Sequence, residues 1–343
     1  MAFKHWRNWL LGLAVVCGGD LAMAQTTIPW FDPAKGVVPG TGTRLEQVGD
    51  DFEDPNWNCD LRLPKSSQEI DGQTRPPGAV VSNQRWYEGV KRGVPDMVQR
   101  VETPPGGLPG SLGALRLASL QTGVPGRLSY KNQQDDFICN VESLLGGQLK
   151  IEQCPSVVTR IYLPEFSAWG NRAGAHFGIR LSLSTTKLTA SGGRGRYSSP
   201  IREPETYWPG LFADLTPAAK SKSGQNEYQW RIRSDQRGYD FPGMPISQPG
   251  WWTVGMSVTP DGKVHYYARP GVEPLTTEDH IVSQFPYNYR AEHFKTFFFN
   301  VISGDDGKTW STPMIVDDSH VYILDNEQLR LAAEGSPTTF SRR

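Results

Sequence analysis

The segment AHFGIRLSLSTT, residues 175–186, places His176, Gly178, Arg180 and Ser182 on one parity and Phe177, Ile179, Leu181 and Leu183 on the other. Successive side chains of a strand point to opposite faces, so this stretch is a strand with one apolar and one polar face. The pattern recurs along the chain. EYQWRIRS (227–234) sets Tyr228 and Trp230 against Gln229, Arg231 and Arg233. WWTVGMSVTPDGKVHYYARPG (251–271) is two strands around Pro260-Asp261-Gly262, and Asp-Gly is a strong hairpin signal. KTFFFNVIS (295–303) and HVYIL (320–324) add two more. No long stretch keeps a 3.6-residue apolar period, and no fixed-period repeat is present, which argues against solenoids and propellers. Many short strands with Gly/Pro punctuation predict an all-β protein, an antiparallel β-sandwich.

The N-terminus has the layout of a secretory signal peptide. Lys4 and Arg7 precede an apolar run too short to span a bilayer, and Ala22-Met23-Ala24 is a small-x-small cleavage site. The expected organisation is a signal peptide at 1–24, an extended lead-in at 25–47, one sandwich domain at 48–326 and a polar tail at 327–343. A secreted or periplasmic, cell-envelope location follows. No later stretch has the length of a membrane-spanning helix.

Charge excludes one class of partner. The 35 Lys and Arg against 36 Asp and Glu provide no field for nucleic acid. Cys59, Cys139 and Cys154 remain after cleavage, and an oxidising compartment favours one disulfide among them. Cys139 and Cys154 flank the Gly146-Gly147 turn and are the first choice for pairing; Cys59–Cys154 is the alternative.

Asp50-Asp51-Phe52 near the start and Val316-Asp317-Asp318-Ser319-His320-Val321-Tyr322 near the end resemble the opening and closing strands of the concanavalin A-like lectin/glucanase superfamily. The hairpin WTVGMSVTPDGKVHYYA is similar to one in the same superfamily. The resemblance implies a jelly roll in which the first and last strands pair. It also implies a structural calcium, with Asp317 at the family's ligand position and Asp51 as its partner.

Three stretches bear on chemistry. Glu69-Ile70-Asp71 opens like the Glu-x-Asp-x-x-Glu signature of retaining glycosidases, and on a strand Glu69 and Asp71 would share a face. The place of the second Glu holds Thr74, or Arg75 in the longer variant, so the proton donor is missing. Glu205, beside Tyr207 and Trp208, is a further candidate acid. Residues 303–310, Ser-Gly-Asp-Asp-Gly-Lys-Thr-Trp, fit the Asp-box, a hairpin turn in which the Asp oxygen binds turn amides and the Trp packs beneath.

Sugars stack on aromatic rings while Arg, amides and carboxylates take their hydroxyls. The chain holds 11 Trp, and its alternating strands could present both kinds of group. The candidate ligand-binding residues are Trp169, His176, Arg180, Tyr207, Trp208 and Arg231. The expected function is a carbohydrate-binding jelly-roll protein whose partner is a polysaccharide or glycan, with no organic cofactor. A glycoside hydrolase or lyase on the same fold is the alternative, and a structural envelope protein the third reading.

Overall fold

Two antiparallel sheets carry the chain, seen in a computed structural model that describes residues 28–62, 64–75, 78–122, 128–189 and 201–334. The signal-peptide segment and residues 335–343 lie outside the described residues. In the larger sheet the strands run, edge to edge, Phe241–Pro245, Glu227–Arg233, Gly210–Thr216, Gly174–Thr189, His293–Ser303, Gln133–Cys139, Trp86–Tyr87, Ala79–Val81 and Cys59–Leu61. Ile201–Tyr207 folds back on the far half of Gly174–Thr189. The smaller sheet runs His280–Gln284, Val264–Pro270, Gly250–Val258, Ser156–Leu163, Met314–Ile323, Gly113–Ala118 and Met97–Glu102.

The closing strand Met314–Ile323 also pairs with the opening strand Thr43–Asp50, through Ser319 with Asp50 and His320 with Gly49. The first and last strands thus lie side by side, as the resemblance implies. The Asp-Gly hairpin is present too: Gly250–Val258 pairs with Val264–Pro270, and Gly262 adopts φ +81° at the turn.

The sheets pack face to face over one core. Phe177, Ile179, Leu181 and Leu183 from the larger sheet meet Val157, Ile161, Val254 and Met256 from the smaller, all buried. Trp230 and Trp252 touch edge-to-face across the gap at 5.9 Å. At one end of this core Trp86 stacks on Phe137, with centroids 5.2 Å apart and planes 5° apart, and on Phe299 at 5.4 Å. Its indole Nε1 donates to Asp50 Oδ2, which also accepts from Trp57 Nε1 and Asn83 Nδ2.

One inward-facing carboxylate needs special provision. Asp135 lies fully buried on the core side of Gln133–Cys139, and Lys65, 2% exposed, reaches it with Nζ–Oδ2 at 2.8 Å. The same ammonium contacts Asp96 at 2.8 Å and donates to the Gln121 carbonyl at 2.6 Å, which uses all three of its protons. Burial works against the Lys65 charge, but Asp135 and Asp96 outweigh it and hold its pKa above the ordinary value. Burial pushes Asp135 upward.

Both ends of the sandwich differ from the sequence expectation. Residues 28–42 are a strap bound across the outer face of the smaller sheet, where the hairpin of Phe31–Asp32 and Gly36–Val37 is fastened by side chains beneath it. The Tyr267 hydroxyl donates to Lys35 O at 2.7 Å, the Ser257 hydroxyl to Val37 O and the Ser283 hydroxyl to Ala34 O. Gly36, at φ +82°, rests on the His265 ring, where a Cβ would come within 2.6 Å. At the other end, part of the expected tail is the helix Asn326–Glu334, whose Leu329 and Ala332 pack with Phe31, Val37, Cys154 and Leu324. Apolar residues at positions 329 and 332 share one helical face, a signal too short to register against a mostly polar segment.

The expected disulfide is absent, and Cys59, Cys139 and Cys154 are all free thiols. Cys139 ends a strand of the larger sheet opposite Trp86, whereas Cys154 leads into Ser156–Leu163 of the smaller sheet. The segment between them crosses from one sheet to the other instead of forming a hairpin. Its short strand Leu149–Lys150 pairs with His293–Ser303. Burial pushes all three thiols up to about 12.

Candidate functional site

The outer face of the larger sheet carries the polar parity of its strands. Register puts Ile138, Phe298, Arg180, Gly210 and Arg233 in one row across five strands, and Asp136, Asn300, Gly178, Phe212 and Arg231 in the next. A cleft of about 540 Å³ opens over the first row, floored by Arg180, Ser182, Asp136, Gln134, Thr296 and Phe298. Its rim includes Trp208, Tyr87, Arg233, Lys295 and the loop carrying Lys91 and Arg92.

Arg180 is the central floor residue and is 5% exposed. Its Nε and Nη2 both donate to the Trp208 carbonyl, at 3.2 and 3.0 Å, and its guanidinium lies 5.3 Å from the Phe298 ring centre. Burial lowers its pKa to about 10, which leaves it charged at neutral pH. Asp136 lies on the next row. Its Oδ1 accepts from Asn300 Nδ2 at 2.5 Å and Gln134 Nε2 at 3.0 Å, and burial raises its pKa against the pull of Arg180 and Arg92.

The wall is held by Glu88, which is fully buried. Its Oε1 accepts from the backbone N–H groups of Ser66 and Val94, at 2.9 and 3.0 Å, and its Oε2 from that of Gly78. One carboxylate therefore fastens two loops to the strand end. Replacing it in Glu88→Gln puts an amide donor where a backbone donor points, so a loss of about 1–3 kcal/mol is expected in urea unfolding. Weaker ligand binding should accompany it, and unchanged binding would show that the wall does not shape the site.

The sequence candidates divide between this cleft and the interior. Arg180, Trp208 and Glu69 line the cleft. Glu69 does so from a helical turn, Gln68–Asp71, and not from a strand end, so it does not share a face with Asp71. It pairs with Arg92 at 2.9 Å, while Asp71 is bound by Arg75 at 2.8 Å. Glu205 lies on Ile201–Tyr207, whose Thr206 reaches the cleft lining. Arg231 is on the outer face in a bidentate pair with Asp214, at 2.9 and 3.0 Å.

Trp169, His176 and Tyr207 are buried and do not line the cleft. A bulge between Ala175 and Phe177 shifts His176 out of the expected polar row. Its Nδ1 meets the Thr312 hydroxyl at 2.7 Å, and burial lowers its pKa to about 4. Trp169 Nε1 donates to Pro164 O, and Tyr207 packs on Tyr289.

The residues implicated in calcium binding already have hydrogen-bond donors. Asp317 Oδ2 accepts from the Ser111 hydroxyl and its Oδ1 from the Asp318 N–H, while Asp51 Oδ1 accepts from the Glu53 N–H. Calcium takes six to eight oxygens, so Asp317 and Asp51 would supply only part of such a shell. Among the described residues no group of three or more His, Cys, Asp or Glu could hold a metal ion. In the Asp-box, Asp306 instead of Asp305 accepts the turn N–H groups, those of Lys308 and Thr309, and Trp310 is exposed.

The sequence reading missed Asp136, Gln134, Lys295, Arg233 and the Lys91–Arg92 loop. One signal was available: in NQQDDFIC, Gln134 and Asp136 share a parity and mark a polar strand face.

No protein-family model matches the chain, and no curated protein does. Among solved structures it is similar to a GH131 β-glucanase catalytic domain from Podospora anserina, at 11% identity, with 82% of this chain and 96% of that one covered and a TM-score of 0.38. A PL7 alginate lyase from Zobellia galactanivorans gives 8% identity, 81% and 98% coverage and a TM-score of 0.33. The carbohydrate recognition domain of Emp47p gives 7%, 83% and 100%, with a TM-score of 0.35. Likenesses this distant carry nothing about ligand or chemistry.

Proposed function

We propose that this chain is a secreted or periplasmic carbohydrate-binding protein, and that a glycan lies in the cleft on the outer face of its larger sheet. The observation that carries the reading is the make-up of that cleft. Trp208, Tyr87 and Phe298 supply ring surface, while Arg180, Gln134, Ser182, Thr296 and Lys295 supply groups for hydroxyls. Sugars present the same mixture of apolar faces and polar edges. Export rests on the signal-peptide layout of residues 1–24.

A cleaving enzyme is the second reading, favoured by carboxyls in the cleft lining, among them Glu69 and Asp136, the latter raised by burial. Glycosidases use such a pair as proton donor and as base or nucleophile. Light scattering during size-exclusion chromatography of polysaccharide mixtures with the mature protein separates the readings. Co-elution with intact polymer is the expected result. A fall in polymer mass that Asp136→Asn abolishes would establish cleavage instead, and neither co-elution nor cleavage across neutral and acidic polymers would overturn both.

A further inference from the structure

We propose that Arg180 and Asp136 form a subsite for the carboxylate of an acidic sugar, and that binding it places a proton on Asp136. The inference rests on the glycan-binding reading of the cleft and specifies the class of glycan.

The first ground is Arg180 itself. It is 95% removed from solvent, since its exposure is 5%, yet no carboxylate lies within ion-pair distance of it among the described residues. Two of its N–H groups are spent on a neutral carbonyl. A buried guanidinium without an anion is costly, and its planar fork matches a carboxylate. The cleft is the route by which one can arrive. Lys295, which makes no ion pair among the described residues, lines the same cleft, and so does Arg233.

The second ground is the adjoining acid. Asp136 Oδ1 is filled by Asn300 and Gln134, while Oδ2 takes no hydrogen bond from the described residues and the side chain lines the cleft. Several groups set the potential at Asp136. Gln134 is on its own strand, Asn300 on the neighbouring strand and Arg180 one strand further; Arg92, Lys91 and Glu69 come from the wall, with Arg233, Lys295 and Glu142 around the cleft. Asp136 acts on Arg180 only from beyond ion-pair distance. A sugar carboxylate paired with Arg180 adds a second anion near Asp136 in a poorly solvated floor, and the two carboxylates repel. The carboxyl already biased toward its neutral form by burial then takes up the proton.

The sign of the pH dependence follows. The ligand's carboxylate, with an ordinary pKa of about 3–4, stays ionised from about pH 5 to about pH 8. The protonated form of Asp136 is the one that binds, so affinity falls as pH rises through its pKa, by up to about tenfold per unit above it.

The test is isothermal titration of the full mature chain with size-matched oligomers of glucuronic and galacturonic acid and with the same oligomers after reduction of their carboxyls to alcohols. The acidic oligomers should bind at least about tenfold more tightly than the reduced ones, with affinity falling between about pH 5 and about pH 8. Asp136→Asn, which fixes the neutral form at the same shape, should bind tightly at both ends of that range. Arg180→Gln should lose the preference for acid. Equal binding of acidic and reduced oligomers, or a pH dependence that survives in Asp136→Asn, would overturn the subsite while leaving glycan binding intact. Binding of none of the oligomers would overturn both.

Discussion

Lys65→Met is expected to destabilise the protein by about 3–5 kcal/mol in urea unfolding, because it leaves a buried carboxylate uncompensated. Asp135 would lose its 2.8 Å partner in the interior, and Asp96 its own. Asp135 is already raised in the natural chain, and in the variant the resulting pH dependence should extend to higher pH. With Lys65 gone, burial and the Asp96 charge outweigh the Ser119 hydrogen bond at Asp135, so its folded pKa lies above its unfolded one and the folded state binds the extra proton. Stability is then greatest below the unfolded carboxylate pKa of about 4 and falls by about 1.4 kcal/mol per unit as pH rises toward the folded pKa. Adding Asp135→Leu should recover much of the loss, since an apolar pair of similar volume has no charge to bury. A single variant within about 1 kcal/mol of the natural chain would show that water reaches this pair.

Trp86→Ala should cost about 3–5 kcal/mol for a different reason. Its ring lies against Phe137, Phe299, Phe297 and Phe52, at 5.2, 5.4, 5.6 and 6.0 Å, and alanine leaves a cavity that Phe137, Phe297 and Phe299 cannot close without leaving their strands. Trp86→Phe keeps most of the contact but deprives Asp50 of one donor, so about 1–2 kcal/mol is expected. Tyr87 and Glu88 follow Trp86 directly, and they form part of the cleft lining. Trp86→Ala should therefore weaken ligand binding as well, measured well below its unfolding midpoint. Full binding in the alanine variant would mean that Glu88 alone holds the wall.

Much of the fold was legible because a half-buried strand writes its two faces into alternate residues. Phe177, Ile179, Leu181 and Leu183 are in the core as their parity requires, and Arg180 is on the other face. His176 has the same parity as Arg180 but belongs to the interior, because one bulge changes the register, and a bulge leaves little trace in composition. A strand's period of two would put Glu69 and Asp71 on one face. Gln68–Asp71 is a helical turn, and the two carboxyls point to different partners. The cysteine reading failed over longer range: Gly146-Gly147 marks a turn, but not which sheet the chain enters after it.

Local periodicity and turn chemistry are enough to specify antiparallel strands, the turn of the Asp-Gly hairpin and most of the inward-facing residues. That Arg180, Asp136, Trp208, Glu69 and Lys295 share one cleft is a property of the folded sheet. These residues come from separate strands and loops, and they meet because Gln133–Cys139, His293–Ser303 and Gly174–Thr189 lie in that order across the sheet. The electrostatics have the same origin: a guanidinium is ordinary on an exposed strand, and lacks a counter-ion here because the neighbouring strands remove it from water without supplying one.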